Sequence, residues 1–140
     1  MSLTRRKLMV AGGSVLALSA MAGTPLFASI VDEHINAFTG GADLASGSIM
    51  LDTPEIAENG NTVPIEVSAP GATSIMLLAA GNPVPAVATF NFGPLSGARS
   101  GSTRIRLAKS QDVIAIAKMN DGTYQMASAM VKVTIGGCGG

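Results

Sequence analysis

From residue 48 onward short apolar runs alternate with turn-forming clusters, and no helical period separates them. Residues 62–68 alternate strictly. Val63, Ile65 and Val67 fall on one face and Pro64, Glu66 and Ser68 on the other, the period-two pattern of a half-buried strand. Pro64 has no N–H to give to a ladder, which predicts an edge position or a bulge there. Residues 74–80 and 113–119 are apolar on both faces and predict strands covered from two sides. Residues 103–108 place Arg104 and Arg106 outward and Ile105 and Leu107 inward. Residues 49–51 and 86–92 predict two further strands, with Phe90 and Phe92 on one face of the second. Residues 124–135 predict the last and longest strand, where Ala129, Val131, Val133 and Ile135 make a single apolar face. The breaks carry turn chemistry: Asn59-Gly60, suited to positive φ, then Ala69-Pro70-Gly71, the rigid loop at 81–85, the glycine-rich connection at 93–101 and the hairpin turn Asn120-Asp121-Gly122-Thr123. About seven strands spaced by about ten residues predict an all-β fold, an immunoglobulin-like antiparallel β-sandwich.

One helix precedes the strands. Ser29-Ile30-Val31-Asp32 has the form of a capping box, Ile30, Val31, Ile35 and Phe38 share a face, and Gly40 and Gly41 end the run. The expectation is a short N-terminal helix of about ten residues that caps one end of the domain. His34, the single histidine, sits on it as an ordinary surface residue. Ahead of the helix, residues 1–28 have the form of an export signal. Arg5, Arg6 and Lys7 form a basic start, small and apolar residues follow, and small-residue cleavage sites fit after Ala22 or Ala28. The glycines Gly12 and Gly13 weaken the apolar stretch as an anchor, so cleavage is expected and no membrane anchor after it. The Arg5-Arg6 pair resembles a twin-arginine signal, which predicts export of a folded chain to the periplasm.

Composition narrows the chemistry. The chain has 47% apolar and 13% charged residues, enough for a core, but only 4% aromatics and no Trp. The nine basic and nine acidic residues balance; without Arg5, Arg6 and Lys7 the balance is six against nine, a net of −3. No basic aromatic face for nucleic acid is present. One histidine and one cysteine cannot make a structural zinc site, and no glycine-rich phosphate loop follows a strand. Catalytic triads of the Ser–His–Asp or Cys–His kind would need His34, which the helix carries away from the strands. No cofactor is expected.

What remains is the last pentapeptide, Gly136-Gly137-Cys138-Gly139-Gly140. Glycine opens most of backbone space, so this segment is expected to be a flexible tail with Cys138 as its reactive group and Gly136, Gly137, Gly139 and Gly140 as a swinging arm. The chain thus divides into a signal at 1–28, a β-sandwich with its helix at 29–135 and a mobile tail at 136–140. In an oxidising compartment a lone cysteine is a free reactive thiol or an intermolecular bridge. The tail supplies no cation and no helix dipole to Cys138, so the thiol is not tuned as a catalytic nucleophile. From Ile135 to Cys138 the arm reaches roughly 10 Å, enough to enter a pocket in another protein. Two readings follow from the residues: a carrier that presents a covalent passenger on Cys138, or an exported structural β subunit dimerised by a tail disulfide.

The terminal Val133-Thr134-Ile135-Gly136-Gly137-Cys138-Gly139-Gly140 resembles the C-terminus of the SoxY family, sulfur carriers of bacterial thiosulfate oxidation. Residues 54–64, Gly81-Asn82-Pro83, Ala88-Thr89-Phe90 and residues 102–108 resemble other parts of that family, and the twin-arginine leader fits it. The resemblance implies that Cys138 holds thiosulfonate and persulfide adducts and that the chain is a carrier, not an enzyme. It further implies a heterodimer with a SoxZ-like β-sandwich subunit that lacks its own signal. Processing would fall to a haem-containing thiosulfate-conjugating enzyme, a sulfate-releasing hydrolase and, in some organisms, a sulfane dehydrogenase.

Overall fold

The computed structural model describes residues 26–136, with side chains described from Ile30 onward. The leader at residues 1–25 and the tail from Gly137 to Gly140, Cys138 included, lie outside the described residues. The elements in chain order are α1 (Leu26–Thr39), β1 (Leu44–Ala45), β2 (Met50–Asp52), β3 (Ile56–Ala57), β4 (Val63–Ser68), β5 (Ala72–Ala79), β6 (Ala86–Asn91), β7 (Ser100–Ile105), β8 (Gln111–Met119) and β9 (Tyr124–Val133). Two sheets pack face to face. The larger runs β1-β9-β8-β5-β6, with β3 also on β9, and the smaller runs β2-β4-β7. The long strands pair antiparallel, as the alternation and turns predict. Two short strands missing from the sequence pattern pair parallel to β9: β1 at its start (Leu44↔Tyr124) and β3 at its end (Ile56↔Lys132). Two residues are too short a run for periodicity to announce.

The strands that are apolar on both faces have a reason to be so. Ile75, Leu77 and Ala79 of β5 and Val113, Ala115 and Ala117 of β8 face Val63, Ile65, Val67, Ile105 and Leu107 across the sandwich. Met76 and Leu78 of β5 and Ile116 of β8 point the other way and pack with Val31, Ile35 and Phe38 of α1. The helix therefore lies on the outer face of the larger sheet and does not cap one end of the domain. The spacing of Val31, Ile35 and Phe38 is one helical stripe, and Phe38 meets Tyr124 edge-on with ring centroids 6.0 Å apart. The helix also starts at Leu26, ahead of the predicted cap at Ser29. Its end is as predicted: the N–H of Gly40 donates to the Asn36 carbonyl (2.8 Å), with φ of 66° at Gly40 and 83° at Gly41.

Three local expectations change. Pro64 lies on β4, the middle strand of the smaller sheet, and not on an edge strand. Pairing with β2 stops at Asp52↔Glu66, however, so the β2 side of Pro64 is locally unpaired. Gly60 does not take positive φ; the glycines that do among the described residues are Gly40, Gly41, Gly47, Gly71 and Gly122. Gly60 is instead buried and bridges two segments, as described below. Finally β9 ends at Val133, and Ile135, expected on the inward face, is 67% exposed. At the opposite edge, a Cβ on Gly101 would lie 2.6 Å from the Phe90 ring, so β6 and β7 close the sandwich with an aromatic ring resting on bare backbone.

Candidate functional site

The tail leaves the domain at the end of β9, and the structure holds that exit from three sides. On one side is β3 and the turn after it. Lys132 N–H donates to the Glu55 carbonyl (2.9 Å) and Thr134 N–H to the Ala57 carbonyl (3.1 Å). The Thr134 hydroxyl donates to the Glu58 carbonyl (2.9 Å), and Gly60 N–H donates to the Ile135 carbonyl (2.7 Å). On the second side Val133 N–H donates to Ser110 Oγ (2.8 Å). On the third, Gly136 is pressed against the loop between β7 and β8. A Cβ there would lie 2.3 Å from the Ala108 carbonyl oxygen, a distance that real Cβ atoms essentially never show. Gly136 is thus required for close approach, not only for flexibility. The backbone is held as far as Gly136, and the reach of Cys138 counts from there, two residues or about 7 Å.

The Ala108 carbonyl is itself fixed from below. Asn82 is fully buried. Its Oδ1 accepts from Ala108 N–H (2.9 Å) and from Gln111 Nε2 (2.8 Å), and its Nδ2 donates to the Arg106 carbonyl (2.7 Å). Gln111 Nε2 also donates to the Lys109 carbonyl (2.9 Å), and Gln111 Oε1 accepts from Gly81 N–H (2.8 Å). Both amides have their principal groups paired inside the fold, the condition under which buried polar groups rigidify a structure. Leu107 N–H closes the ring by donating to the Gly60 carbonyl (2.8 Å). Gly60 therefore links the tail root to the seat beneath it, with one backbone group on each.

Of the residues predicted from sequence, Gly136 lies on this seat, while Gly137, Cys138, Gly139 and Gly140 lie outside the described residues. His34 lies on α1, against the outer face of the larger sheet, and joins no cluster with the tail root. Among the described residues no group of three or more metal-ligating side chains converges, and no helix is long and apolar enough to cross a membrane. Sequence reasoning missed Asn82, Ala108, Ser110 and Gln111 as parts of the site. Three of the four internal stretches that carried the family resemblance nevertheless supply the seat: residues 54–64 (Ala57, Glu58, Gly60), Gly81-Asn82-Pro83, and residues 102–108.

Comparison with known proteins agrees with that resemblance. The family model described as sulfur oxidation protein SoxY matches residues 35–138, so the match runs to the terminal cysteine. The structure of the sulfur carrier protein SoxY from Chlorobium limicola f thiosulfatophilum superposes with a TM-score of 0.67 at 36% identity, covering 77% of this chain and 99% of that one. A superoxide reductase (neelaredoxin) from Ignicoccus hospitalis matches at TM-score 0.55 and 19% identity over 62% of this chain and 80% of its own, a likeness of fold alone. Comparison with curated sequences finds no match. A sandwich whose last strand leads into the seated Gly136, matched by the family model as far as Cys138 and by a solved relative over most of its length, makes this chain a member of the SoxY family, the sulfur carriers of the Sox system.

Proposed function

We propose that Cys138 is the covalent attachment point for sulfur and that this chain presents it, in the periplasm, to oxidising and hydrolysing enzymes. The observation that supports this most is the seated root: the chain is hydrogen-bonded as far as Ile135 and packs on Ala108 at Gly136, and the family match extends to the cysteine two residues on. A fixed root gives each visiting enzyme the same short lead, and glycines beside the sulfur present no side chain to a narrow channel. The loading step joins the Cys138 thiol to the outer sulfur of thiosulfate. One S–S bond forms, one proton is released, and the two electrons given up would be taken in one-electron steps by the haem-containing conjugating enzyme. Hydrolysis then breaks the bond between sulfane sulfur and sulfonate. Water supplies the fourth oxygen of sulfate, and a persulfide stays on Cys138. The chain gives the reaction a nucleophile and a position, while activation of the thiol falls to the enzyme pocket.

Twin-arginine export and a SoxZ-like partner without its own signal belong to the same proposal, because only a folded chain can carry a bound partner across. α1 begins at Leu26, so cleavage after Ala22 leaves the helix whole, whereas cleavage after Ala28 removes its first three residues. Intact mass spectrometry of protein from thiosulfate-grown cells tests the carrier reading. Thiosulfonate or persulfide mass on the C-terminal peptide is expected, and free thiol alone under turnover would reject it. Cys138→Ser is expected to abolish thiosulfate-dependent respiration with the melting temperature unchanged.

A further inference from the structure

We infer that the tail-bearing end of the sandwich is a shared docking collar for the enzymes that process Cys138, with Ile135, Val84 and Ile56 as its apolar contacts. The inference rests on the carrier reading above. It follows from the length of chain beyond the seat. Cys138 lies two residues past Gly136, so with its side chain the sulfur reaches roughly 10 Å from the anchored root. An enzyme whose reacting atoms sit at the bottom of a pocket must bring the pocket's rim down onto the surface around Gly136. A stable protein contact covers about 800 Å² on each partner, a disc of about 16 Å radius. The surface around the root cannot stay in water while the sulfur is inside such a pocket.

Three large apolar side chains stand exposed on that surface, among polar neighbours that include Glu58, Lys109 and Lys132. Ile135, next to the seat, is 67% exposed, Val84 is 61% exposed and Ile56 58%. Each belongs to a segment tied to the root. Ile135 gives its carbonyl to Gly60. Ile56 precedes Ala57, whose carbonyl takes the Thr134 N–H. Val84 lies two residues from Asn82, which holds Ala108 beneath Gly136. Large apolar side chains left in water on three segments tied to the root, beside a cysteine that must be inserted elsewhere, fit a partner whose rim is apolar at those points. Leu95 provides a contrast. It is 99% exposed but lies in the connection leading into the Ser100 end of β7, away from the Ile105 end that runs toward Leu107 and the seat.

The test uses the full chain added back to a periplasmic extract from a host strain lacking it, with thiosulfate-dependent cytochrome reduction as the signal. Ile135→Asp and Val84→Asp are expected to raise the concentration of chain needed for half-maximal rate at least tenfold, with little change in the rate at saturation. Leu95→Asp, with the same change of charge, should match wild type. Alkylation of Cys138 by iodoacetamide should proceed equally in all four proteins, because a small reagent needs no collar. Unaltered concentration dependence in both collar variants overturns the inference, and so does equal impairment by Leu95→Asp. If the collar variants instead lose a stable subunit by size-exclusion chromatography, the surface is a permanent subunit interface and the inference fails. If wild-type chain supports no thiosulfate-dependent signal and gains no adduct mass, the carrier reading itself is what falls.

Discussion

Replacing Gly136 by alanine separates a seated tail root from a loose one. A Cβ at this position would lie 2.3 Å from the Ala108 oxygen and 3.3 Å from its carbonyl carbon. Ordinary contact begins at 3.4 Å, so the two backbones must part by about 1.1 Å, the difference between 3.4 and 2.3 Å. Neither side gives easily. Ala108 is held through its N–H by buried Asn82, and the root is held by the bond from Gly60 to the Ile135 carbonyl. Overpacking of this kind costs about 1–3 kcal/mol. The alternative is for the root to lift away, which leaves the Gly60 N–H unpaired in a buried position, again about 1–3 kcal/mol. Alanine returns about 0.4–1 kcal/mol by restricting the unfolded chain. A net loss of about 1–2 kcal/mol follows, equivalent to a fall of about 5–10 °C in melting temperature for a domain of this size. The more specific readout is amide exchange at Gly60, which should accelerate about 5- to 30-fold once its acceptor is lost. Gly97→Ala, where a Cβ would meet nothing within 4 Å, serves as the control and should change neither quantity. If Gly136→Ala melts with wild type and Gly60 keeps its protection, the root is not seated and the reach argument loses its fixed origin.

Asn82→Leu keeps the branched shape but leaves the Ala108 N–H and the Arg106 carbonyl without their partner, while Gln111 Nε2 keeps the Lys109 carbonyl. At about 1–3 kcal/mol per orphaned group it should cost at least about 2 kcal/mol in urea denaturation, and a loss under 1 kcal/mol would refute the account of the network. Gly101→Ala drives a methyl group into the Phe90 ring and should lose about 1–3 kcal/mol. Phe90→Leu in the same chain should recover part of that loss in a double-mutant cycle. In the turn between β8 and β9, Asp121 accepts hydrogen bonds from the Thr123 hydroxyl and N–H, which hold its pKa below the ordinary aspartate value of 3.8. A carboxylate with a lowered folded pKa adds stability that is present above 3.8 and lost as pH falls through the folded value. Thermal melts of wild type should therefore drop over that acid window, and Asp121→Asn should flatten that part of the profile.

The fold was legible wherever one side chain's environment repeats along an element. Alternation in residues 63–67 and 104–107 placed those strands and their inward faces, and the doubly apolar runs marked the strands that became β5 and β8. What covers their second face was not legible. A stripe at Val31, Ile35 and Phe38 shows that a helix has an apolar side, but not whether that side meets the end or the face of a sheet. The candidate site divides in the same way. Cys138 and its glycines stand out because their composition is unusual over five consecutive residues. Asn82 and Gln111 do not, because an amide in a loop or at a strand start looks the same whether it faces water or a buried carbonyl.

The sequence by itself determined that this chain is a small apolar β domain ending in a lone, glycine-framed cysteine, since both properties are local and periodic. Tertiary structure alone decided that Gly136 is a contact and not only a joint, that Gly60 is a bridge and not a positive-φ turn, and that the seat is built from segments near residues 57, 82, 108 and 134. The physical reason is that close approach of two backbones, and the pairing of a buried amide, depend on partners 24 to 77 residues away along the chain, which no local pattern records.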